Sequence, residues 1–140
     1  MPSRKTTPVP GLITIASNFG PEETMNRFEA VVRSKGLSVF ADIDHAAGAA
    51  AAGLPLLPIE LLIFGTALAG TPLMQEVPTT GIDLPLKVLV WQDEAGKTWL
   101  SYNDPHWVAR RHRLGAKAAA TSGAMASLLA ALTARAAGSA

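Results

Sequence analysis

The chain has 140 residues, 49% of them hydrophobic and 16% charged, with a formal net charge of +1. That length suits a single domain able to bury a core, and that composition excludes an intrinsically disordered chain. The complete lack of cysteine excludes a disulfide framework, a thiolate nucleophile and a thiolate metal site, and it fits a reducing compartment.

In chain order, "MPSRKTTPVP" (1–10) has basic residues with no apolar run behind them, so it reads as a disordered tail and not as a signal peptide. "GLITIAS" reads as a first strand. "PEETMNRFEAVVRSKG" reads as a helix, with Pro21, Glu22 and Glu23 in the first turn and Lys35 and Gly36 at the close. Met25, Phe28 and Val32 recur at helical spacing and form its apolar face. "LSVFADID" is a second strand, ended by an alanine-glycine segment, and "IELLIFG" is a third. A loop or short helix is expected around 70–80. "PLKVLVWQDEAGKTWLSY" predicts a hairpin closed by Asp93-Glu94-Ala95-Gly96. If Gln92 pairs with Lys97, Val90 lies opposite Trp99 and Leu89 opposite Leu100. "NDPHWVARRHRL" starts a helix capped by Asn103 or Asp104 with Pro105 in its first turn. An alanine-rich helix over 121–138 carries Met125, Leu128, Leu129 and Leu132 on one face.

The expected class is α+β, a mostly antiparallel sheet in the order β-α-β-β-β-β-α plus an extra C-terminal helix. Residues 46–75 carry only Glu60 as a charge, but their prolines and glycines break every apolar run short of a membrane span. A soluble, cytoplasmic protein is therefore expected. Both "ELLIFG" and "KVLVW" are apolar at successive positions, so both faces of the sheet should be buried. The C-terminal helix or a second subunit must cover the second face, which points to a homodimer.

Chemistry-bearing residues are sparse. On a strand Asp42 and Asp44 share one face, where two carboxylates could share a proton or hold a hard cation. The simpler reading is a polar strand end, with Asp44 capping the next turn. Three fragments of a phosphate loop (Gly48 to Gly53, Gly65 to Gly70, and Gly96-Lys97-Thr98) each lack essential parts. His106 and His112 fall on opposite sides of a helix and cannot chelate one metal together; no metal site and no cofactor is expected. No serine-nucleophile elbow surrounds Ser17 or Ser101. Tyr102, Asn103 and Asp104 could line a cleft or simply cap a helix. The basic cluster Arg110, Arg111, Arg113 and Lys117 could meet phosphates, but an isoelectric point near 8.2 is too low for a typical nucleic-acid binder.

"FADIDHAAGA", "ELLIFG", "AGTPLM", "GIDLPLKVLVWQDEAGKTWLSYNDP" and "RHRL" together resemble domain-of-unknown-function family 302, a prokaryotic family. The resemblance covers roughly residues 11–114 and leaves the alanine-rich helix over 115–140 outside it. It implies an α+β fold of the TATA-binding-protein class, generally dimeric, and no established reaction; the fold class by itself implies no DNA binding. The polar positions that match are His45, Glu60, Lys87, Tyr102, Asn103 and Asp104, beside Asp44. Leu57, Thr66 and Leu68 depart from the arginine, asparagine and lysine that the resemblance implies there, which leaves a more apolar surface beside "ELLIFG".

Three functions compete. The first is a homodimeric binding or accessory module for a small apolar ligand or a protein partner, with Lys87, Tyr102 and Asn103 as ligand-binding candidates. The second is an enzyme using His45 as general acid or base, oriented by Asp44, Glu60 or Asp104. Nucleic-acid binding through Arg110 to Lys117 ranks last.

Overall fold

The computed structural model describes residues 8–139, with the side chain of Ala67 left out. The disordered tail expected over 1–10 therefore falls largely outside the described residues. Five strands form one sheet in the order β1-β5-β4-β3-β2, every neighbouring pair antiparallel. They are β1 (Leu12–Ala16), β2 (Ser38–Asp44), β3 (Ile59–Gly65), β4 (Leu86–Gln92) and β5 (Thr98–Asn103). The helices are α1 (Pro21–Ser34), α2 (His45–Ala51), α3 (Ala67–Glu76), α4 (Pro105–Arg111) and α5 (Ala119–Ala137). Short 3-10 turns span Pro78–Ile82 and Ala116–Ala118. This is the α+β class read from the sequence.

Helix α1 carries the chain from the β1 edge of the sheet to the β2 edge. Its predicted face is the buried one: Met25, Phe28 and Val32 enter the main core. Phe28 meets Phe64 of β3 edge to face, with ring centroids 5.4 Å apart. Leu62, Val88, Val90 and Leu100 form the floor of that core, and Leu129, Leu132 and Ala136 of α5 close it beside α1. Arg27 of α1 donates to the carbonyls of Arg135 and Ala136, a cation at the carbonyl end of α5 where the helix dipole favours it.

Three expectations change. The alanine-glycine segment after β2 is the helix α2, because Asp44 caps it by accepting from the Ala47 amide at 2.8 Å. The hairpin register differs by one residue: Val90 faces Leu100, Leu89 faces Ser101 and Trp91 faces Trp99. The cause is a five-residue closure in which Asp93 N–H donates to the Lys97 carbonyl, while Asp93 Oδ1 accepts from the Ala95 and Lys97 amides. Gly96 supplies the positive φ of 83° that this loop requires. Finally, α5 does not cover the second face of the sheet. It shares the first face with α1 because Leu129, Leu132 and Ala136 join the same core as Phe28 and Val32.

Candidate functional site

The cross-strand register sorts every residue of the sheet onto a face. Opposite the helices, Ile43 pairs with Leu61, Leu61 with Leu89, Ile59 with Trp91, and Trp91 with Trp99. These side chains are half-buried or exposed. Trp91 and Trp99 stack at 6.1 Å between centroids. Trp91 Nε1 donates to Ser101 Oγ at 2.9 Å, and Ser101 Oγ lies 2.8 Å from Thr14 Oγ1. In the single chain this is an open face of aliphatic and indole surface.

On the helix side, a cavity of about 710 Å³ opens between the end of β3, α3 and the first half of α5. Phe40, Phe64, Leu86, Met74, Met125 and Leu128 wall it. Its room comes from small residues facing those large ones: Gly65 and Gly70 on one side, and Ala120 and Ala124 of α5 on the other. A bulge in β2 between Val39 and Ala41 accompanies the turning of Phe40 toward the cavity. Gly65, at φ 143°, lets the chain leave β3 within contact of the Phe40 ring. Thr66 then caps α3 by accepting from the Ala69 amide at 3.3 Å. Among the described residues no charged side chain lines the cavity, and Thr66 and Thr121 are its polar side chains. The volume falls in the range of small-molecule sites, and such a wall favours an uncharged apolar guest. Met74 and Met125 can adjust to its shape.

The polar candidates are divided. Asp44 and Glu60 face each other across β2 and β3 on the helix side. A side-chain hydrogen bond from Asp42, followed by burial and repulsion from Asp42, Asp44 and Glu29, raises Glu60 to about 7. Tyr102 is buried on the same side, further along the sheet, and burial raises its phenol above the usual range. Lys87 and Asn103 lie at the other end of the sheet, where they line a small recess with Asp83. Burial pushes the Lys87 ammonium below its usual range, against the opposing effect of Asp83, and Lys87 Nζ donates to the Asp83 carbonyl at 3.3 Å. His45 is exposed at the start of α2, where the chain has already turned out of the strand. Asp104 caps α4 by accepting from the His106 amide at 3.0 Å.

Among the described residues no group of three or more histidine and carboxylate side chains could hold a metal ion, and no helix is long and apolar enough to cross a membrane. Sequence reasoning missed the cavity. Its signals were Gly65, Gly70 and the alanines that open α5, which only a three-dimensional arrangement sets against Phe40 and Phe64. Thr66, one of the three departures from the family pattern, lies on its wall.

The family model described as domain of unknown function DUF302 matches residues 13–132, which reaches into α5. A solved structure of an uncharacterized conserved DUF302 protein from Bacillus stearothermophilus superposes with a TM-score of 0.80 at 20% identity, covering 91% of this chain and 98% of that one. Among curated proteins, fluoride-specific ion channel FluC 1 of Brucella suis biovar 1 is 50% identical over 105 residues, or 75% of this chain and 41% of that protein. FluC 2 of Brucella melitensis biotype 1 is likewise 50% identical over 105 residues, with 39% of its length covered. The chain thus spans about two fifths of the curated relatives it matches.

Proposed function

This chain belongs to the DUF302 family, and we propose that it is a binding module that holds a small, uncharged, apolar molecule between its sheet and its helices. The observation that carries this reading is the cavity of about 710 Å³ with no charged side chain on its wall among the described residues. We place the homodimer interface on the open sheet face, where Leu61, Leu89, Trp91 and Trp99 present adjoining apolar surface. Lys87 and Asn103, in their separate recess, would take a polar group, and Tyr102 would act only from within the core. The enzyme alternative is weaker, because Asp44 is engaged as the cap of α2 and Glu60 lies against Asp42, while His45 stands out in solvent.

The test is native against denaturing mass spectrometry of untagged protein. A dimer with an extra mass that leaves on denaturation supports the reading and identifies the guest. A bare protein that also fails to bind the neutral probe N-phenyl-1-naphthylamine overturns it.

A second reading concerns the partner. Proteins named as fluoride-specific channels contain, in less than half their length, a stretch half-identical to this chain. A module joined to a channel in one polypeptide can dock on a channel protein when the two are separate. Co-purification of this chain with a fluoride-channel protein expressed beside it supports that reading, and clean separation counts against it.

A further inference from the structure

Away from the cavity and the open face, Thr79 and Asp83, at the Pro78–Ile82 turn, meet His112 at the end of α4. His112 is the C-cap of α4, and its side chain is 7% exposed against 11% for Asp83. His112 Nε2 lies 2.6 Å from Asp83 Oδ2, and His112 Nδ1 lies 2.9 Å from Thr79 Oγ1. With the ring proton on Nε2, the imidazole donates to the carboxylate, and its Nδ1 lone pair accepts from the Thr79 hydroxyl. That single neutral tautomer satisfies all three groups. Thr79 itself is exposed.

Two features hold the arrangement. Arg111 donates from one guanidinium nitrogen to both Asp83 oxygens at 2.9 Å, so the carboxylate cannot swing away from the imidazole. Just after His112 the chain reverses through Arg113 at φ 56°, closed by the Leu114 amide on the Ala109 carbonyl at 2.9 Å. A staple between turn and helix would need only Asp83, Arg111 and the inner nitrogen of His112. It gives no role to an exposed hydroxyl on the outer nitrogen, whereas a nucleophile, a base and an orienting carboxylate in hydrogen-bonded series are what acyl transfer requires.

We propose that Thr79, His112 and Asp83 form an acyl-transfer site for carboxylic esters, with Thr79 as nucleophile, His112 as base and Asp83 as positioning residue. As Thr79 Oγ bonds to the ester carbonyl carbon, its proton passes to His112 Nδ1. When the carbon–oxygen bond to the alcohol breaks, that proton goes to the departing oxygen. Water then repeats the exchange, giving its proton to Nδ1, releasing the carboxylic acid and restoring Thr79. Thr79 is exposed, so the acyl donor approaches from solvent.

The test is brief exposure of the full chain to p-nitrophenyl acetate, with the acetyl group located by peptide mass spectrometry. Thr79 should be acetylated at least tenfold faster than Thr66 and Thr121. His112→Gln should slow that labelling by about a hundredfold, the scale of general-base assistance. Thr79→Ser should keep the label at position 79 and Thr79→Val should lose it, both at nearly unchanged melting temperature because Thr79 is exposed; this pair decides the matter should His112→Gln not fold. Nitrogen NMR of His112 should show Nε2 protonated and Nδ1 bare, a preference that Asp83→Asn weakens. Labels confined to lysines, or a Thr79 label indifferent to His112→Gln, would overturn the proposal and leave the contacts as a staple.

Discussion

The carboxyl of Glu60 lies against that of Asp42 on the paired strands β2 and β3, a contact that two carboxylates make favourably only when one of them keeps a proton. That contact, ahead of burial and of repulsion from Asp42, Asp44 and Glu29, raises Glu60 from its usual 4.5 to about 7. An acid whose folded-state pKa lies above its unfolded value stabilises the fold fully below the unfolded value, and the contribution is lost as pH rises through the folded one. Stability should therefore fall between about pH 4.5 and pH 7 relative to Glu60→Gln, which keeps a donor and carries no charge. Thermal melts of both proteins across that range check this, and parallel curves would contradict it.

Ala124 is exposed on α5 and lines the apolar cavity. Ala124→Trp should fill the cavity at little cost to the fold, because no buried side chain is displaced. Affinity for N-phenyl-1-naphthylamine, measured by fluorescence titration, should drop at least about tenfold, or 1.4 kcal/mol. An unchanged titration would place the probe elsewhere.

Leu61 pairs with Ile43 and with Leu89 near the middle of the open sheet face. Leu61→Lys puts a charge there, which solvent tolerates and an apolar interface does not. Light scattering behind size exclusion should give twice the chain mass for the unsubstituted protein and the single mass for the variant. Equal masses would move the interface off this face.

Phe28 is fully buried against Phe64 and the α5 side chains. Phe28→Ala should cost about 3–5 kcal/mol by removing buried surface and leaving a cavity, read by urea denaturation. A cost near 1 kcal/mol would mean that α1 and α5 collapse into the space.

Gly11 enters β1 at φ 76°, and a Cβ there would run into the indole of Trp107. Gly11→Ala should destabilise the protein by more than about 1 kcal/mol through backbone strain and displacement of that ring. The same denaturation experiment measures it.

The strands, α1 and the caps were legible because their causes are local. Pro21 and two glutamates start a helix whose Met25, Phe28 and Val32 recur at its period, and Asp44, the last residue of β2, caps the helix after it. The hairpin was legible but its register was not, since Asp93 closes the loop with its side chain and shifts the pairing by one residue. The helicity of "HAAGAAA" escaped because a strand ending in polar residues gives no periodic signal before a seven-residue helix.

Sequence by itself determined the α+β class and family, and the apolar surplus of the sheet, because hydrophobic period and turn chemistry are written into adjacent residues. Tertiary structure alone decided that α1 and α5 share one face and leave the other open, since a helix with an apolar stripe can pack on either side. It also decided that alanines and glycines far apart in the chain line one open cavity. And it alone joined Thr79 and Asp83 to His112, residues separated by about thirty positions; spacing along a chain carries no record of which distant side chains folding will bring within 3 Å.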